Sequence, residues 1–502
     1  MSRAAVGRDG AKRSWPFVWL SALILAGCAV GPDYRRPDFD LPQDWRAVSE
    51  PIDADVQPAK AIGERWWSLY ADPILDQLID EALQHNSDAA IATARVLEAK
   101  ALSKAVDADL YPSFAAGFSG DRTRSSQLGA FPISGVPRTQ TSYRATLDAR
   151  YEVDLWGRYR RASEAAHADL FAAVSARDAV RLSLTAEVAQ QYFTLLALDA
   201  QSALTQRALD SRRETVDLFA KRLSAGTLAE FDLLQAEAET AVVRAQLARL
   251  QQLQDRAEST LALLLGRSPR AVMETRVARG TPTMPNDALI PADLPSELLL
   301  RRPDLREAEA RLVAANARIG SARAQYFPAV GLTAYLGSES VEFSRLFSGP
   351  AGIFQFAAAI TQPLWNAGRI DAGVEISEAR RDQVLAQYRH AVAGAFKDMR
   401  DALGAQRAAH ATQVAESARS RALEKALEHA QQRFEAGIAS RLEVLDVERN
   451  LLAAELALAE SERARKVALT DIVKALGGGW AGGDGAQSPE PCRPAPKVGA
   501  CP

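Results

Sequence analysis

Very long helical stretches dominate the pattern of apolar and polar positions along the chain. One stretch, 158–225, runs for 68 residues without Gly or Pro, and a second, 227–265, runs for 39. At about 1.5 Å per residue, the longer stretch predicts a continuous helix of roughly 100 Å. A compact core cannot cover helices of this length, so we expect them to pack side by side as a hairpin or coiled coil.

The same plan occurs twice in the chain. Tyr111-Pro112 recurs as Phe327-Pro328, 216 residues later, whereas three glycine landmarks recur 211 residues later. The sequence is therefore an internal duplication whose halves differ by five residues between Pro112 and Gly157. The glycine pairs are Gly157 and Gly368, Gly226 and Gly437, and Gly266 and Gly477.

The sequence of each half predicts four elements in the same order: a first helix, here called the upper helix, a β-hairpin, a long helix, and a second helix that runs back along it, here called the returning helix. The hairpin regions are rich in Gly, Ser, Thr and aromatic residues and alternate imperfectly at period two. The predicted fold class is mainly α with a smaller β part. In the first repeat, 88–266, the hairpin falls at about 112–156, the long helix at 158–225 and the returning helix at 227–265. In the second repeat, 304–477, the same elements fall at about 328–365, 369–436 and 438–476.

The number of predicted strands has a consequence for assembly. The weak period-two pattern is typical of strands with lipid on one face and a lumen on the other. Four strands do not close a barrel, since about eight are needed for a filled interior. Open sheet edges are excluded from lipid. The sequence therefore predicts an oligomer.

The N-terminus predicts export and lipid attachment. Basic residues between Arg3 and Arg13 precede the apolar run Pro16–Ala26, which is shorter than the ~20 residues of a membrane-spanning helix. We interpret residues 1–27 as a signal peptide. The ending Leu25–Cys28 resembles the bacterial lipobox, so Cys28 is expected to carry covalent lipid; the alternative is an ordinary signal peptide with a chance cysteine.

Composition argues against other classes of function. Hydrophobic residues are 47% and charged residues 25% of the chain, which excludes wholesale disorder. The net charge of −3 argues against nucleic-acid binding. The five histidines lack metal-ligand spacing, and no nucleophile elbow, P-loop or dinucleotide fingerprint occurs. We therefore expect no enzyme, no metal site and no cofactor beyond the lipid.

Two further cysteines lie in the tail 478–502. Cys492 and Cys501 follow Trp480 in a stretch rich in Pro and Gly. In an oxidising compartment they would be able to pair. The alternative is a flexible end without functional consequence.

Three motifs occur in order along the chain: the segment Cys28–Pro37, the pair Trp66-Trp67, and Leu300–Leu305 with its Arg-Arg-Pro-Asp core. Together with the duplicated plan, they resemble the outer-membrane efflux (TolC-like) family, and specifically its lipoprotein branch. The resemblance implies a homotrimer in outer-membrane lipid, with a shared twelve-stranded β-barrel on a twelve-helix periplasmic α-barrel. It places equatorial elements at 28–87 and an equatorial linker at 267–303. It also implies passive conduction of substrates delivered by a periplasmic adaptor and an inner-membrane pump of the RND type.

The resemblance further implies roles for the turns between long and returning helices. They are expected to be adaptor-docking tips, although a plain glycine helix cap is the alternative. The tip residues are Ala225, Gly226, Thr227 and Leu228, and Ala436, Gly437, Ile438 and Ala439.

Residues just beyond the second tip resemble a periplasmic gate. Leu442, Glu443 and Asp446 share one helix face by their spacing, and stacked acidic rings would select for cations. The alternative is an ordinary solvated face. Their first-half equivalents are Phe231, Asp232 and Gln235, and Arg222 and Arg433, one turn before the tips, are expected to latch the closed state.

Two other functions remain open at the level of sequence. A type I secretion duct would share this architecture, and substrate class is not readable from the chain. A periplasmic structural lipoprotein with a coiled coil would explain the lipid and the long helices. It would leave the hairpins and the tip glycines without a purpose.

Overall fold

A computed structural model of the protein describes residues 29–40, 65–126, 128, 137–274, 276–284 and 301–478. The predicted signal peptide, the lipid site at Cys28 and the two tail cysteines lie outside these residues.

The described residues form eight α-helices and four β-strands. The helices are α1 (Pro73–His85), α2 (Ser87–Asp107), α3 (Arg158–Ser224), α4 (Glu230–Leu264), α5 (Pro269–Glu274), α6 (Pro303–Arg323), α7 (Arg369–Glu435) and α8 (Arg441–Ala475). The strands are β1 (Ser113–Arg124), β2 (Thr139–Val153), β3 (Ala329–Ser340) and β4 (Gly352–Thr361). None of the helices in the described part of the chain is both long and apolar enough to cross a bilayer.

Equal element lengths reproduce the internal duplication. The long helices α3 and α7 have 67 residues each, and the returning helices α4 and α8 have 35 each. The upper helices α2 and α6 both have 21 residues, and β1 and β3 both have 12. The five-residue difference between the halves therefore lies between the first strand of each hairpin and the long helix.

The returning helices begin three residues later than the sequence pattern predicts. α4 begins at Glu230 rather than 227, and α8 begins at Arg441 rather than 438. The residues after each tip glycine have extended or turn conformations, which end the long helix and set up the next one. At the second turn, Ser440 caps α8, because its hydroxyl accepts a hydrogen bond from the backbone N–H of Glu443.

The chain divides into two compact units. The first comprises Met1–Asp38, Arg95–Ala173 and Glu307–Tyr388. It contains one antiparallel sheet of order β1-β2-β3-β4, so the two hairpins join through β2 and β3. Leu147 of β2 lies opposite Leu336 of β3 in this junction. β1 and β4 are the edge strands of the sheet.

The two faces of this sheet differ in polarity, because successive side chains of a strand point to opposite faces. The alternation matches strands that separate lipid from a polar lumen. The apolar face carries Phe114, Phe118, Leu147, Leu332, Leu336, Phe354, Phe356 and Ile360. The polar face carries Arg144, Asp148, Arg150, Glu152 and Glu339, with Arg144 and Glu339 paired at 3.6 Å.

An N-terminal strap (residues 29–38) belongs to the same unit. Arg161 Nη2 donates a hydrogen bond to Asp33 Oδ1 at 2.7 Å, and the Tyr34 hydroxyl donates to Glu309 Oε1 at 3.1 Å. Burial and the neighbouring Glu309 carboxylate raise the pKa of Tyr34. These contacts fix the strap against α3 and α6.

The second unit comprises Phe39–Ala94, Val174–Arg306 and Arg389–Pro502. Its largest core packs α1 against parts of α3, α4 and α8. The Tyr192 hydroxyl donates to Asp72 Oδ2 at 2.8 Å and accepts from the backbone N–H of Gly280 at 2.7 Å. Asp72 also caps α1 by accepting from Ile74 N. The core includes Trp66, Trp67, Tyr70, Leu75, Ile79, Tyr192, Phe193, Leu195, Leu261, Leu265 and Val473.

Candidate functional site at the two helix turns

The first turn is a Schellman motif. Gly226 has φ +69°, a left-handed conformation that glycine adopts at little cost. Its N–H donates to Leu223 O at 2.9 Å, and the N–H of Thr227 donates to Arg222 O at 2.9 Å. The Thr227 hydroxyl donates to the same carbonyl at 3.0 Å. The Arg222 and Leu223 carbonyls at the end of α3 are thereby satisfied.

The second turn repeats this geometry. Gly437 has φ +74° and its N–H donates to Phe434 O at 3.0 Å. Ile438 N donates to Arg433 O at 2.9 Å, and Ala439 N reaches the same carbonyl at 3.2 Å. Apart from the adjacent residues, no atom of the described part of the chain lies within 4 Å of a Cβ added at either tip glycine. These glycines are therefore required by the turn conformation and not by close packing.

The two predicted gate carboxylates of the second half have different partners. Glu443 Oε1 lies 3.1 Å from Arg433 Nη1, across the turn on α7. Asp446 pairs with Arg449 on its own helix and accepts from Asn450 Nδ2 at 3.3 Å. The structure thus brings Glu443 together with the predicted latch residue Arg433, whereas Asp446 is held along α8.

The first half lacks this pairing. Asp232 and Gln235 are half-buried at the start of α4. Arg222 has no ion pair with any residue in the described ranges. The apolar members of both sets are exposed, with Phe231 at 72% and Leu442 at 56%. The two turns therefore share a backbone geometry and differ in their charged contacts.

Arg441 is a residue at this site that the sequence reasoning missed. Its Nη2 donates to Thr215 Oγ1 of α3 at 3.0 Å and lies 3.5 Å from Glu448 Oε1. Its guanidinium also lies over the Phe434 ring. Arg441 therefore ties the second helix pair to the first. Glu230 occupies the equivalent position of the first repeat, and this charge reversal between the repeats is the sequence signal that would have identified Arg441.

A second missed contact lies within the first helix pair. The buried Arg212 side chain on α3 donates from Nη1 to both the carbonyl oxygen and the Oε2 carboxylate oxygen of Glu239 on α4, at 3.0 and 2.8 Å. A charge-assisted bond from a buried guanidinium is stronger than an exposed pair. It holds α3 and α4 together above the first turn.

Comparison with known proteins places this architecture in a family. The model of the outer membrane efflux protein family matches residues 78–267 and 294–478, one segment in each repeat. The chain belongs to this family.

Close relatives and a solved structure agree with this membership. The cation efflux system protein CusC of Escherichia coli K12 is 33% identical over 465 residues, which cover 91% of this chain and 98% of CusC. The probable outer membrane lipoprotein SilC of Salmonella typhimurium is 33% identical over 458 residues, with 91% and 97% covered. The open-state MtrE outer membrane channel of Neisseria gonorrhoeae superposes with a TM-score of 0.78 at 32% identity, with 90% of this chain and 98% of MtrE covered.

The family defines the role at a coarse level. The protein is an outer-membrane efflux channel protein, and it has the helix-and-strand fold of such channels. Its relatives are channel and efflux proteins rather than enzymes.

Proposed function

We propose that three copies of the chain assemble into one duct of a tripartite, RND-type efflux system and conduct substrates passively, with no catalytic step. The observation that carries this proposal is the open four-stranded sheet, whose edge strands β1 and β4 each have one free edge among the residues that the structure describes. Edge strands in lipid need partners, because no water is present to satisfy their N–H and C=O groups.

Strand number favours a trimer over smaller assemblies. Two copies would supply eight strands, and the interior of an eight-stranded barrel is filled by side chains. Three copies supply twelve strands and leave room for an aqueous lumen lined by the polar face. A structural lipoprotein with a coiled coil has no use for such a sheet, and this supports the channel over that alternative.

The turns are proposed as the periplasmic end of the duct. The periplasmic adaptor that joins the inner-membrane pump would bind the exposed surface around the two tip glycines. This surface consists of Ala225, Gly226, Thr227 and Leu228, and of Ala436, Gly437, Ile438 and Ala439. Leu442, Glu443 and Asp446, with Asp232 and Gln235, would narrow this end. Arg433 would act as a latch through Glu443; Arg222 is assigned the same role by the duplication alone. Cys28 would carry the lipid anchor.

Disulfide cross-linking between edge strands tests the assembly. Four double-cysteine variants are made. Each has Cys in place of Ser119 on β1 and a second Cys at position 353, 355, 357 or 359 of β4, and all of these positions lie on the polar face. At the correct register, oxidation should give covalent dimers and trimers and nothing larger. Variants with one of the two cysteines control for Cys28, Cys492 and Cys501. A ladder extending beyond three chains, or monomers at every register, would refute the closed trimer.

A further inference from the structure

The hairpin-loop end of β1 carries two arginines on the apolar face of the sheet. The β1–β2 register is unbroken from Ser113 to Arg124, so Arg122 and Arg124 lie on the same face as Phe114 and Phe118. Both arginine side chains are exposed. On the proposed function, this face meets lipid. Arginine on such a face is costly at the bilayer midplane and tolerated near the interfaces, so the depth of the two cations decides what they contact.

An aromatic cluster marks the depth of these arginines. Phe343 makes edge-to-face contacts with Phe118 and Tyr143, with ring centroids 6.3 and 5.5 Å away. Tyr143 lies opposite Gly120 and would meet a Cβ there at 3.2 Å. Aromatic girdles of membrane barrels lie at the boundary between hydrocarbon and headgroups.

The arginines lie just beyond that boundary. Arg122 is two residues past Gly120, about 7 Å along the strand, and Arg124 is about 13 Å past it. The headgroup layer of a bilayer is roughly 5–7 Å thick on each side. Barrel strands are tilted by about 35–45°, so these lengths correspond to heights of about 5 and 10 Å above the boundary. Arg122 therefore lies within the headgroup layer, and Arg124 lies on its outer side.

Among the described residues, no carboxylate forms an ion pair with either arginine, and Asp121, which precedes Arg122, points to the opposite face of the strand. Thr141 and Thr139 lie opposite Arg122 and Arg124, and the connecting residues 125–138 contain no Asp or Glu. Glu342, which precedes the turn that carries Phe343, is already paired with Arg345 at 3.0 Å.

We propose that Arg122 and Arg124 form a binding site for the phosphate groups of lipopolysaccharide, the phosphorylated glycolipid of the outer leaflet. The hairpin loops lie at the opposite ends of the strands from α2, α3, α6 and α7. With those helices in the periplasm, the loop end faces the outer leaflet. Guanidinium groups bind phosphate oxygens through paired charge-assisted hydrogen bonds. Phe118, on the same face and nearer the headgroups than Phe114, would contact the acyl chains of the same lipid.

Native mass spectrometry of the delipidated full-length protein in detergent tests the site. The probes are diphosphoryl lipid A, monophosphoryl lipid A and phosphatidylglycerol. The wild type should bind diphosphoryl lipid A most tightly. The Arg122→Gln/Arg124→Gln variant should bind it roughly thirtyfold more weakly, at about 1 kcal/mol per basic residue, and lose the preference for two phosphates.

Two control variants keep the experiment decisive. Arg150→Gln removes an arginine from the polar face and should leave lipid A binding unchanged. Arg122→Lys/Arg124→Lys keeps both charges and should restore most of it. Unchanged binding in the double Gln variant, equal binding of both lipid A forms, or a stronger preference for phosphatidylglycerol would overturn the site. The same spectra report the number of chains, so failure of the proposed trimer is seen separately from failure of lipid binding.

Discussion

Arg433 Nη1 lies 3.1 Å from Glu443 Oε1, and this ion pair closes the second helix turn from α7 to α8. The two side chains are 55% and 40% exposed, and exposed pairs contribute only about 0–1 kcal/mol to stability. The pair therefore matters for where the Glu443 carboxylate is held, and less for the free energy of unfolding.

Neutralising the gate carboxylates should change ion selectivity with little effect on stability. Acidic rings attract cations and repel anions, so Glu443→Gln/Asp446→Asn should reduce cation preference several-fold. The measurement is the reversal potential in a planar bilayer under a KCl gradient. Glu435→Gln removes an exposed carboxylate at the end of α7 and is the matched control. An unchanged reversal potential in the double variant would contradict the gate assignment.

The second tip should tolerate Asn better than Ala. Gly437 has φ +74°, which costs an L-residue about 1 kcal/mol or more, while Asn visits this region more readily. Beyond its chain neighbours, no described atom lies close enough to a Cβ at this position to add a clash. Gly437→Ala should lower Tm, and Gly437→Asn should lower it less. Equal melting of all three proteins would show that the left-handed turn is not required.

Asp471 provides a pH test of the α3–α8 contact. Burial raises the pKa of Asp471. A hydrogen bond from Gln190 Nε2 at 2.6 Å and the charge of Lys474 lower it, but they are the smaller effects. Because the pKa of Asp471 is raised in the folded state, folding favours its protonated carboxyl group. The contribution of Asp471 to the free energy of unfolding is therefore full below pH about 4, and it is lost as the pH rises through the raised pKa. Asp471→Asn should therefore raise Tm at pH 7, and the gain should shrink towards pH 4. Exposed Asp255→Asn serves as the control, and a gain that persists at pH 4 would contradict the argument.

The N-terminal strap should detach when a methyl group is added to α6. A Cβ at Gly320 would lie 2.8 Å from Val30 O and 2.9 Å from Arg161 Cγ. Gly320→Ala should speed hydrogen exchange in peptides from residues 29–38. Gly373→Ala, on α7 of the same unit and with open space around it, should not. Protection that is equal in both variants would show that the strap is held by other contacts.

Some of these features were readable from the sequence and others were not. The helix pairs were predictable, because long stretches without Gly or Pro leave few alternatives to a helix. The duplication also marks each helix boundary independently in both halves of the sequence. The starts of α4 and α8 at Glu230 and Arg441 were missed, because a Schellman turn also uses the residues just after the glycine.

Long-range contacts were beyond the sequence pattern. Tyr192 meets Asp72 and Gly280, and Arg441 meets Thr215, across separations that no local periodicity encodes. The pairing of Asp446 with Arg449 was in principle readable, since the two residues are three apart on one helix.

Single-channel recording from purified protein in planar bilayers tests the duct most directly. If three sheets close around a polar lumen, a species with the mass of three chains should give discrete conductance steps. The conductance should be selective for cations at neutral pH. The channel would be contradicted by a pure three-chain species that inserts into bilayers and passes no current. This result would have to hold also when Glu443 and Asp446 are both replaced by Ala to open the narrow end.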